Sequence, residues 1–190
     1  MKKLPLFIAV FFMMFLLSCG EDDTVNQDDD QEEMEEEEEE DVTNEIVFDG
    51  TTLIGTDGLI IDVGVESNIA PNHYTRKFAI SDKALSVNSS GGFSFRTNAK
   101  FALVLGASSL GTNGFNTGDF QFRPSAGSVP DANFFFSSTF VDLDGVGQIA
   151  VNGGTISISG TSPDYTVKLD LTLNGGKTVE GAFVGTFDIE

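Results

Sequence analysis

The stretch Tyr-Thr-Val-Lys-Leu-Asp-Leu-Thr-Leu at residues 165–173 decides the fold class of this chain. Apolar and polar residues alternate without a break, which gives an extended strand one dry and one wet face. A turn at Asn174-Gly175-Gly176 follows, and the apolar residues of 179–187 again share one face. Residues 155–159 show the same alternation before it. Together the three runs predict an antiparallel meander of three strands.

Two glycines occupy dry-face positions in the last of these runs. Gly181 and Gly185 alternate with Val179, Phe183 and Phe187. Glycine at such a position lets a strand coil or lets a bulky neighbour pack over it. We expect that neighbour to be Tyr165 or a phenylalanine.

Short apolar runs separated by turn residues continue back to residue 45, with no helical period. Asp49-Gly50 joins the runs 46–48 and 51–54, which is a strong hairpin signal. About eleven short strands within residues 45–190 predict one all-β domain. We expect an antiparallel β-sandwich or flattened barrel of about 10–12 strands.

The middle of the domain gives less regular patterns. Tyr74, Arg76, Phe78 and Ile80 alternate, although Arg76 interrupts the apolar face. This predicts an edge strand, or a strand whose other face, formed by Thr75, Lys77 and Ala79, is wet. Residues 64–71 and the Gly-, Ser- and Asn-rich residues 106–118 are predicted to be loops.

The first 18 residues are predicted to be a signal peptide. Lys2 and Lys3 precede an apolar run from Leu4 to Leu17, which is 14 residues long. A spanning helix needs about 20 apolar residues, so this run fits an export signal better than a membrane span.

Cys19 is the only cysteine of the chain, so neither an intramolecular disulfide nor a cysteine metal cluster is expected. Leu16-Leu17-Ser18-Cys19 resembles the bacterial lipobox, although Leu17 stands where a smaller residue is more usual. The resemblance implies a diacylglyceryl group on the Cys19 sulfur, cleavage after Ser18 and an acylated (palmitate-type) N-terminus. Two or three acyl chains anchor a protein stably. The alternative is nearby cleavage that leaves a free thiol.

Residues 19–44 are predicted to be a disordered acidic linker. Half of the 30 acidic residues lie between Glu21 and Asp41, and such dense like charge cannot bury apolar surface. Gly20-Glu21-Asp22-Asp23 resembles the export signal of surface-exposed lipoproteins of the Bacteroidota. This implies an outer-membrane, cell-surface location. The alternative is that these acids only solvate the linker.

Asp23-Thr24-Val25 resembles the acceptor sequence of Bacteroidota O-glycosylation. The resemblance implies a sugar on Thr24, in a part of the chain that we expect to be exposed.

Charge argues against a nucleic-acid partner. Residues 42–190 carry 15 acidic and eight basic residues, a net of −7. A phosphate backbone needs a basic surface, and no basic stripe is present in this sequence.

Four segments resemble a group of small Bacteroidota lipoproteins that close with a Gly-x-Tyr/Phe-x-Gly-x-Leu/Phe strand. They are Phe48-Asp49-Gly50, residues 153–158, Tyr165-Thr166-Val167 and residues 181–187. The resemblance covers most of residues 45–190 and implies fold class and location. It implies no activity.

Residue types that support catalysis are scarce. His73 is the only histidine and is expected in an exposed loop, and no Gly-x-Ser-x-Gly elbow is present. Paired carboxylates for a glycosidase would have to be Asp142 with Asp144, or Asp62 with Glu66. We therefore do not expect an enzyme, and we expect no cofactor other than calcium.

Two further sites are hypotheses with structural alternatives. Asp142-Leu143-Asp144-Gly145 has the spacing of part of a calcium loop, and its alternative is a polar hairpin turn. Phe135, in the run 134–136, is either an exposed binding patch or part of a strand buried on both faces.

The sequence therefore favours a lipid-anchored envelope protein with a non-catalytic binding or surface-structural role. Its partners would be the membrane, through the lipid, and an outer-membrane protein complex. The alternatives are a lipocalin-like binder of a small apolar ligand and, third, a carboxylate-based enzyme.

Overall fold

The structure, a computed structural model, describes residues 43–66, 71–124, 131–142 and 147–190, with the backbone alone for 137–142. All of them belong to one compact unit that spans Glu40–Glu190. These ranges contain strands and no helix, which confirms the predicted all-β class. Within them, accordingly, no helix is long and apolar enough to cross a membrane.

Fourteen strands are present in these ranges. They are β1 (Glu45–Phe48), β2 (Thr51–Ile54), β3 (Asp57–Glu66), β4 (His73–Ser81), β5 (Ser86–Val87), β6 (Phe93–Ser94), β7 (Phe101–Leu110), β8 (Gly118–Phe122), β9 (Phe134–Asp142), β10 (Gly147–Ile149), β11 (Val151–Thr161), β12 (Asp164–Leu173), β13 (Thr178–Thr186) and β14 (Asp188–Ile189).

Twelve of the strands form one curled sheet. Its order is β14-β3-β4-β7-β9-β8-β11-β12-β13-β1-β2, with β10 paired to β9, and β5 and β6 form a separate ribbon. The pairs β8–β9 and β14–β3 are parallel, and the other pairs are antiparallel. The curled sheet agrees with the predicted sandwich or flattened barrel.

The end of the chain connects the two sides of this sheet. β13 pairs with β12 and β1. A single residue, Phe187, separates β13 from β14, and β14 pairs with β3. The backbone N–H of Asp62 also donates to the Glu190 carbonyl at 3.2 Å, and the Glu190 N–H donates to the Ile60 carbonyl at 2.9 Å. Through its backbone hydrogen bonds, β14 therefore links the C-terminal meander to β3.

The inner face of the sheet is filled with aromatic and aliphatic side chains. Phe78, Phe183 and Phe187 are at most 3% exposed. The ring of Phe187 meets Phe78 and Phe183 edge-on, with centroids 5.7 and 5.2 Å apart. Each fully buried ring contributes about 1.5–3 kcal/mol relative to an exposed one, so these phenylalanines are a main source of stability.

The predicted N-terminal hairpin is confirmed. β1 pairs with β2 from Phe48↔Thr51 to Glu45↔Ile54. Asp49 and Gly50 have φ of 46° and 83°, the left-handed values that a two-residue hairpin turn requires. Asn44, at the end of the predicted linker, is already bound to the domain. Its carbonyl accepts from the Gly55 N–H at 2.9 Å, and its side-chain oxygen accepts from the Val184 N–H at 2.6 Å.

The C-terminal meander of β11, β12 and β13 is also confirmed. Tyr165 lies opposite Gly185, as expected. The expectation for Gly181 is wrong, because a Cβ there would lie 2.1 Å from the Glu45 carbonyl oxygen. Its φ of 122° is also unfavourable for other residues. Gly181 therefore permits the close approach of β1, and not of an aromatic ring.

Three local expectations for the middle of the domain are wrong. β4 lies between β3 and β7 rather than at an edge, and Thr75 and Ala79, expected on a wet face, are fully buried. β3 continues to Glu66 through a bulge near residue 63. β7 continues to Leu110, so the predicted loop 106–118 is reduced to residues 111–117.

A second layer accounts for the burial of the outer face. Leu59, Ala79 and Val104 form one row across β3, β4 and β7, and each is at most 5% exposed. We attribute this to the connection 82–100, whose Leu85 and Lys100 N–H groups donate to aspartates at its two ends.

Aspartates hold the connection 82–100 at both ends. Asp57, on β3, accepts from the Leu85 N–H. Asp82 accepts from the N–H groups of Lys100 and Phe101 at 2.7 and 3.2 Å. Further along β7, Phe136 packs over Gly106, where a Cβ would lie 2.8 Å from the ring. This half of the sheet is therefore covered on both faces.

Candidate functional site: a polar cluster at one end of the sheet

The most polar part of the inner face lies where β3 and β7 end and β4 begins. We call it the Arg76 cluster, and it comprises Asp62, Tyr74, Arg76, Phe115 and Tyr165. Alternation along β4 turns Tyr74 and Arg76 to the same face as Phe78, and the register places Asp62 opposite Arg76. Tyr165 is the first buried residue of β12, across the interior from β4.

Arg76 links β3 to β12. Its Nε and Nη2 donate to Asp62 Oδ2 at 3.1 and 2.9 Å, and its Nη1 donates to the Tyr165 hydroxyl at 2.7 Å. The side chains of Arg76 and Asp62 are 14% and 26% exposed. In such a partly buried site, charge-assisted hydrogen bonds are stronger than those of a surface ion pair.

Tyr74 completes the polar group. A hydrogen bond to Asp62 and, second, burial raise the pKa of the Tyr74 phenol above its ordinary value. Both effects favour the neutral phenol, because it can donate a hydrogen bond to the Asp62 carboxylate and because burial disfavours a charged phenolate. Arg76, which donates a hydrogen bond to the Tyr74 oxygen, acts on the pKa in the opposite direction but does not cancel the shift. Asp62 is therefore engaged by two side chains.

Phe115 covers the cluster from the loop 111–117. Its ring is parallel to that of Phe120, with centroids 5.6 Å apart and an interplanar angle of 1°. It is tilted against Phe78 at 5.6 Å, and Arg76 Cζ lies 5.6 Å from its centroid. Phe115 is half-buried, so the ring lies between the core and solvent.

The cluster retains hydrogen-bond donors that the described residues do not use. A guanidinium carries five N–H groups. Asp62 and Tyr165 take three of those on Arg76, and a side-chain hydrogen bond to Tyr74 takes a fourth. The Tyr165 oxygen accepts from Arg76, and its own O–H has no acceptor among the described residues. One N–H of Arg76 and the Tyr165 O–H thus remain for a partner that accepts hydrogen bonds.

His73 is not the exposed loop residue that the sequence predicted. It begins β4 and is 0% exposed, with its ring edge-on to Phe134 at 5.1 Å. Nδ1 lies 2.6 Å from the Pro71 carbonyl oxygen and Nε2 lies 3.0 Å from the Ala132 carbonyl oxygen. The ring therefore holds two backbone segments together, and neither nitrogen faces a hydroxyl group.

Two hydroxyl groups near His73 bond to each other. Thr75 Oγ1 and Ser108 Oγ are 2.7 Å apart, and both residues are fully buried. Ser108 is thus committed to Thr75, and the contacts of His73 give it no base for nucleophilic catalysis.

The hypothesis of an exposed Phe135 patch is wrong. Phe134 and Phe135 point to opposite faces of β9 and are each 0% exposed. Phe135 packs edge-on against Phe122 at 5.6 Å on the inner side. The alternative, a strand buried on both faces, is the correct one here.

The other predicted sites are largely outside the described residues. Cys19, Thr24 and Asp144 lie there, and for Asp142 only the backbone is described, at the end of β9 opposite Gly147. The calcium hypothesis therefore stays a prediction. Among the side chains that the structure describes, no three His, Cys, Asp or Glu residues are grouped as a metal site would need.

Of the proposed carboxylate pairs, only Asp62 with Glu66 is described. Asp62 is bound by Arg76 and does not stand free beside Glu66. The one sequence signal for the Arg76 cluster was the charge that interrupts the apolar face of β4. Nothing in the sequence paired Arg76 with Asp62 or Tyr165, which are 14 and 89 positions away.

Comparison of the chain with the models of known protein families, with curated proteins and with solved structures finds no match.

Proposed function

We propose that this chain is a lipid-anchored protein of the bacterial cell envelope, and that its β domain has a non-catalytic binding or surface-structural role. The observation that carries the anchor is the sequence Leu16-Leu17-Ser18-Cys19 at the end of an apolar run of signal-peptide length. The acidic residues directly after Cys19 support export to the outer surface of the outer membrane.

The engagement of the polar side chains supports a non-catalytic role. His73 contacts two backbone carbonyls, Ser108 is bonded to Thr75, and Asp62 is bonded to Arg76. A general base needs a free position within reach of the proton that it removes. These groups instead hold strands and loops together, as in a scaffold that presents a surface to an outer-membrane partner.

A second candidate role is the binding of a small ligand. A lipocalin-like interior is not favoured, because the rings of Phe78, Phe183 and Phe187 pack against one another and occupy the space that an apolar ligand would need on that part of the inner face. The unused donors of the Arg76 cluster favour a ligand at the end of the sheet instead.

The anchor is tested by metabolic labelling with a palmitate analogue. The wild-type protein should incorporate label and fractionate with the outer membrane. A Cys19→Ala variant should lose the label and remain an uncleaved precursor, because lipid attachment precedes cleavage. A Ser18→Ala variant, which keeps the cysteine and a small residue before it, is the matched control. A labelled and membrane-bound Cys19→Ala protein would contradict the proposal.

Surface exposure is tested separately with protease on intact cells. We expect digestion of the wild-type domain, and protection when Glu21, Asp22 and Asp23 are replaced by Ser. Equal digestion of both proteins would show that these acids do not direct export. Intact mass of the mature chain, compared with Thr24→Ala, tests for a sugar on Thr24.

A further inference from the structure

We propose that Arg76, Tyr165, Phe78 and Phe120 form a binding site for a small aromatic carboxylate, and that the loop 111–117 is its lid. This rests on the proposed non-catalytic binding role, and it names the ligand class. In the described structure the ring of Phe115 occupies the place of the ligand ring.

The surroundings of Phe115 resemble those of a bound aromatic ring. One wall is the parallel ring of Phe120, a second is Phe78, and the Arg76 guanidinium lies 5.6 Å from the ring centroid. Stacked and tilted aromatic pairs and a guanidinium at this distance each contribute favourably beyond simple burial. The site therefore accepts a flat six-membered ring, and Phe115 shows that one fits.

The hydrogen-bond donors near this ring determine which substituent a ligand ring would carry. The described residues leave one N–H group of Arg76 and the O–H of Tyr165 unused, because Asp62, Tyr165 and Tyr74 take the other four N–H groups. Both are donors, and a carboxylate is a pure acceptor with two oxygens. The remaining Arg76 N–H and the Tyr165 O–H can therefore each donate to one oxygen of the ligand carboxylate.

The attachment of the lid allows Phe115 to move out. The loop is bounded by Gly111 and Gly118 and contains Gly114, with φ of 121°, 143° and 132°. Only glycine reaches these conformations without strain, and it leaves the backbone free to rearrange. Thr112, Asn113, Asn116 and Thr117 are exposed. Phe115 is therefore the one residue of the loop that anchors it by an aromatic side chain.

Few contacts hold the loop besides Phe115. The Gly111 N–H donates to the Asn72 carbonyl at 3.0 Å, and the Asn116 N–H donates to Ser109 Oγ at 2.9 Å. The Asn116 amide donates to the Leu110 carbonyl at 3.2 Å. The first lies at the start of the loop, and the other two are made by Asn116, directly after Phe115. Displacing Phe115 therefore exchanges one ring for another and leaves the strands unchanged.

The test is calorimetric titration of the full mature protein with phenylacetate as the carboxylate and toluene as its uncharged counterpart. We expect saturable binding of phenylacetate and none of toluene. Phe115→Ala should bind phenylacetate about tenfold more tightly, because no ring must be displaced. Tyr165→Phe, which keeps the ring and loses one donor, should bind it about tenfold more weakly. Lys77→Ala, exposed on the same strand, is the matched control and should bind like the wild type.

Absence of binding to the wild type overturns the proposal, as does undiminished binding by Tyr165→Phe. Equal binding of toluene and phenylacetate also overturns it, because the donors would then play no part. Tyr165→Phe conserves the packing of the ring, so a folded variant is expected, and circular dichroism verifies this. Loss of lipid labelling in Cys19→Ala leaves these titrations unaffected, so a failure of the anchor and a failure of the site are distinguishable.

Discussion

The two halves of the sheet bury their strands differently. β12, in the C-terminal meander, has buried Leu and Val residues on one face and mostly exposed residues on the other. β7, in the half formed by β3, β4, β7 and β9, is buried on both faces from Phe101 to Ser109. Strict alternation in sequence therefore marks a strand that is covered once. A strand covered twice needs a second layer. We attribute this layer to the connection 82–100 and to the Phe134 and Phe136 side chains.

The comparison also explains where polar side chains are buried. In the half that is covered on both faces, His73, Thr75 and Ser108 are inaccessible to water on the outer face. A buried polar group must find a partner within the protein. Each of these three residues has such a partner, and no described buried side-chain nitrogen or oxygen atom lacks a hydrogen bond. On the outer face of the meander, water supplies the hydrogen-bond partners of the polar side chains.

The largest expected effect comes from placing a charge on the outer face of each half. Val104→Asp puts a carboxyl group at a position that is 5% exposed, and we expect a loss of about 4 kcal/mol or more in the free energy of unfolding. Thr172→Asp, at an exposed position of β12, should cost at most about 1 kcal/mol. Urea unfolding followed by circular dichroism measures both. Similarly small losses for the two variants would mean that both outer faces are solvated, and similarly large losses would mean that both are covered.

A smaller effect is expected from the buried histidine. His73→Leu keeps an apolar contact with Phe134 but removes the partner of the Pro71 and Ala132 carbonyls. We expect a loss of about 2–4 kcal/mol. Lys77→Ala, exposed on the same strand, should stay within about 0.5 kcal/mol of the wild type. If both variants unfold at the same urea concentration, the histidine contacts contribute nothing measurable.

The buried hydroxyl pair sharpens the comparison further. Ser108→Ala leaves the Thr75 hydroxyl without its partner, which should cost about 1–3 kcal/mol. Adding Thr75→Val removes the second hydroxyl, so the double variant should be no less stable than Ser108→Ala. A double-mutant cycle measures this coupling. Strictly additive losses would show that the two hydroxyl groups act independently.

The smallest effect concerns Tyr74, on the inner face of the same half. Its pKa is raised in the folded state, and the unfolded value is about 10. The folded state therefore keeps its proton to higher pH, and this contribution to stability is present below pH 10 and lost as pH rises through the raised pKa. Tyr74→Phe should lose less stability than the wild type between pH 9 and pH 11, in urea titrations at each pH. An identical pH dependence of the two proteins would show that the contact with Asp62 does not raise the pKa of Tyr74.

The class of the fold and its most regular strands followed from local patterns. The alternation in residues 165–173 and the Asp49-Gly50 turn were sufficient, because each depends only on neighbours along the chain. The same reasoning failed for residues 106–110, where glycine and serine suggested a loop. Gly106 is in fact required by the ring of Phe136, and Ser108 by Thr75. Those partners come from other strands, so no local pattern contains them.

The sequence by itself determined an all-β domain behind a charged N-terminal segment, because one solvated face imposes a period of two residues on each strand that is covered on one side only. Only the tertiary structure decided that β4 and β7 are covered twice and that His73 is buried. It also decided that Arg76 meets Asp62 and Tyr165 beneath Phe115. The physical reason is that these arrangements come from layers and strands brought together from distant positions. When a distant segment buries a residue, the residues next to it in the sequence do not indicate that burial.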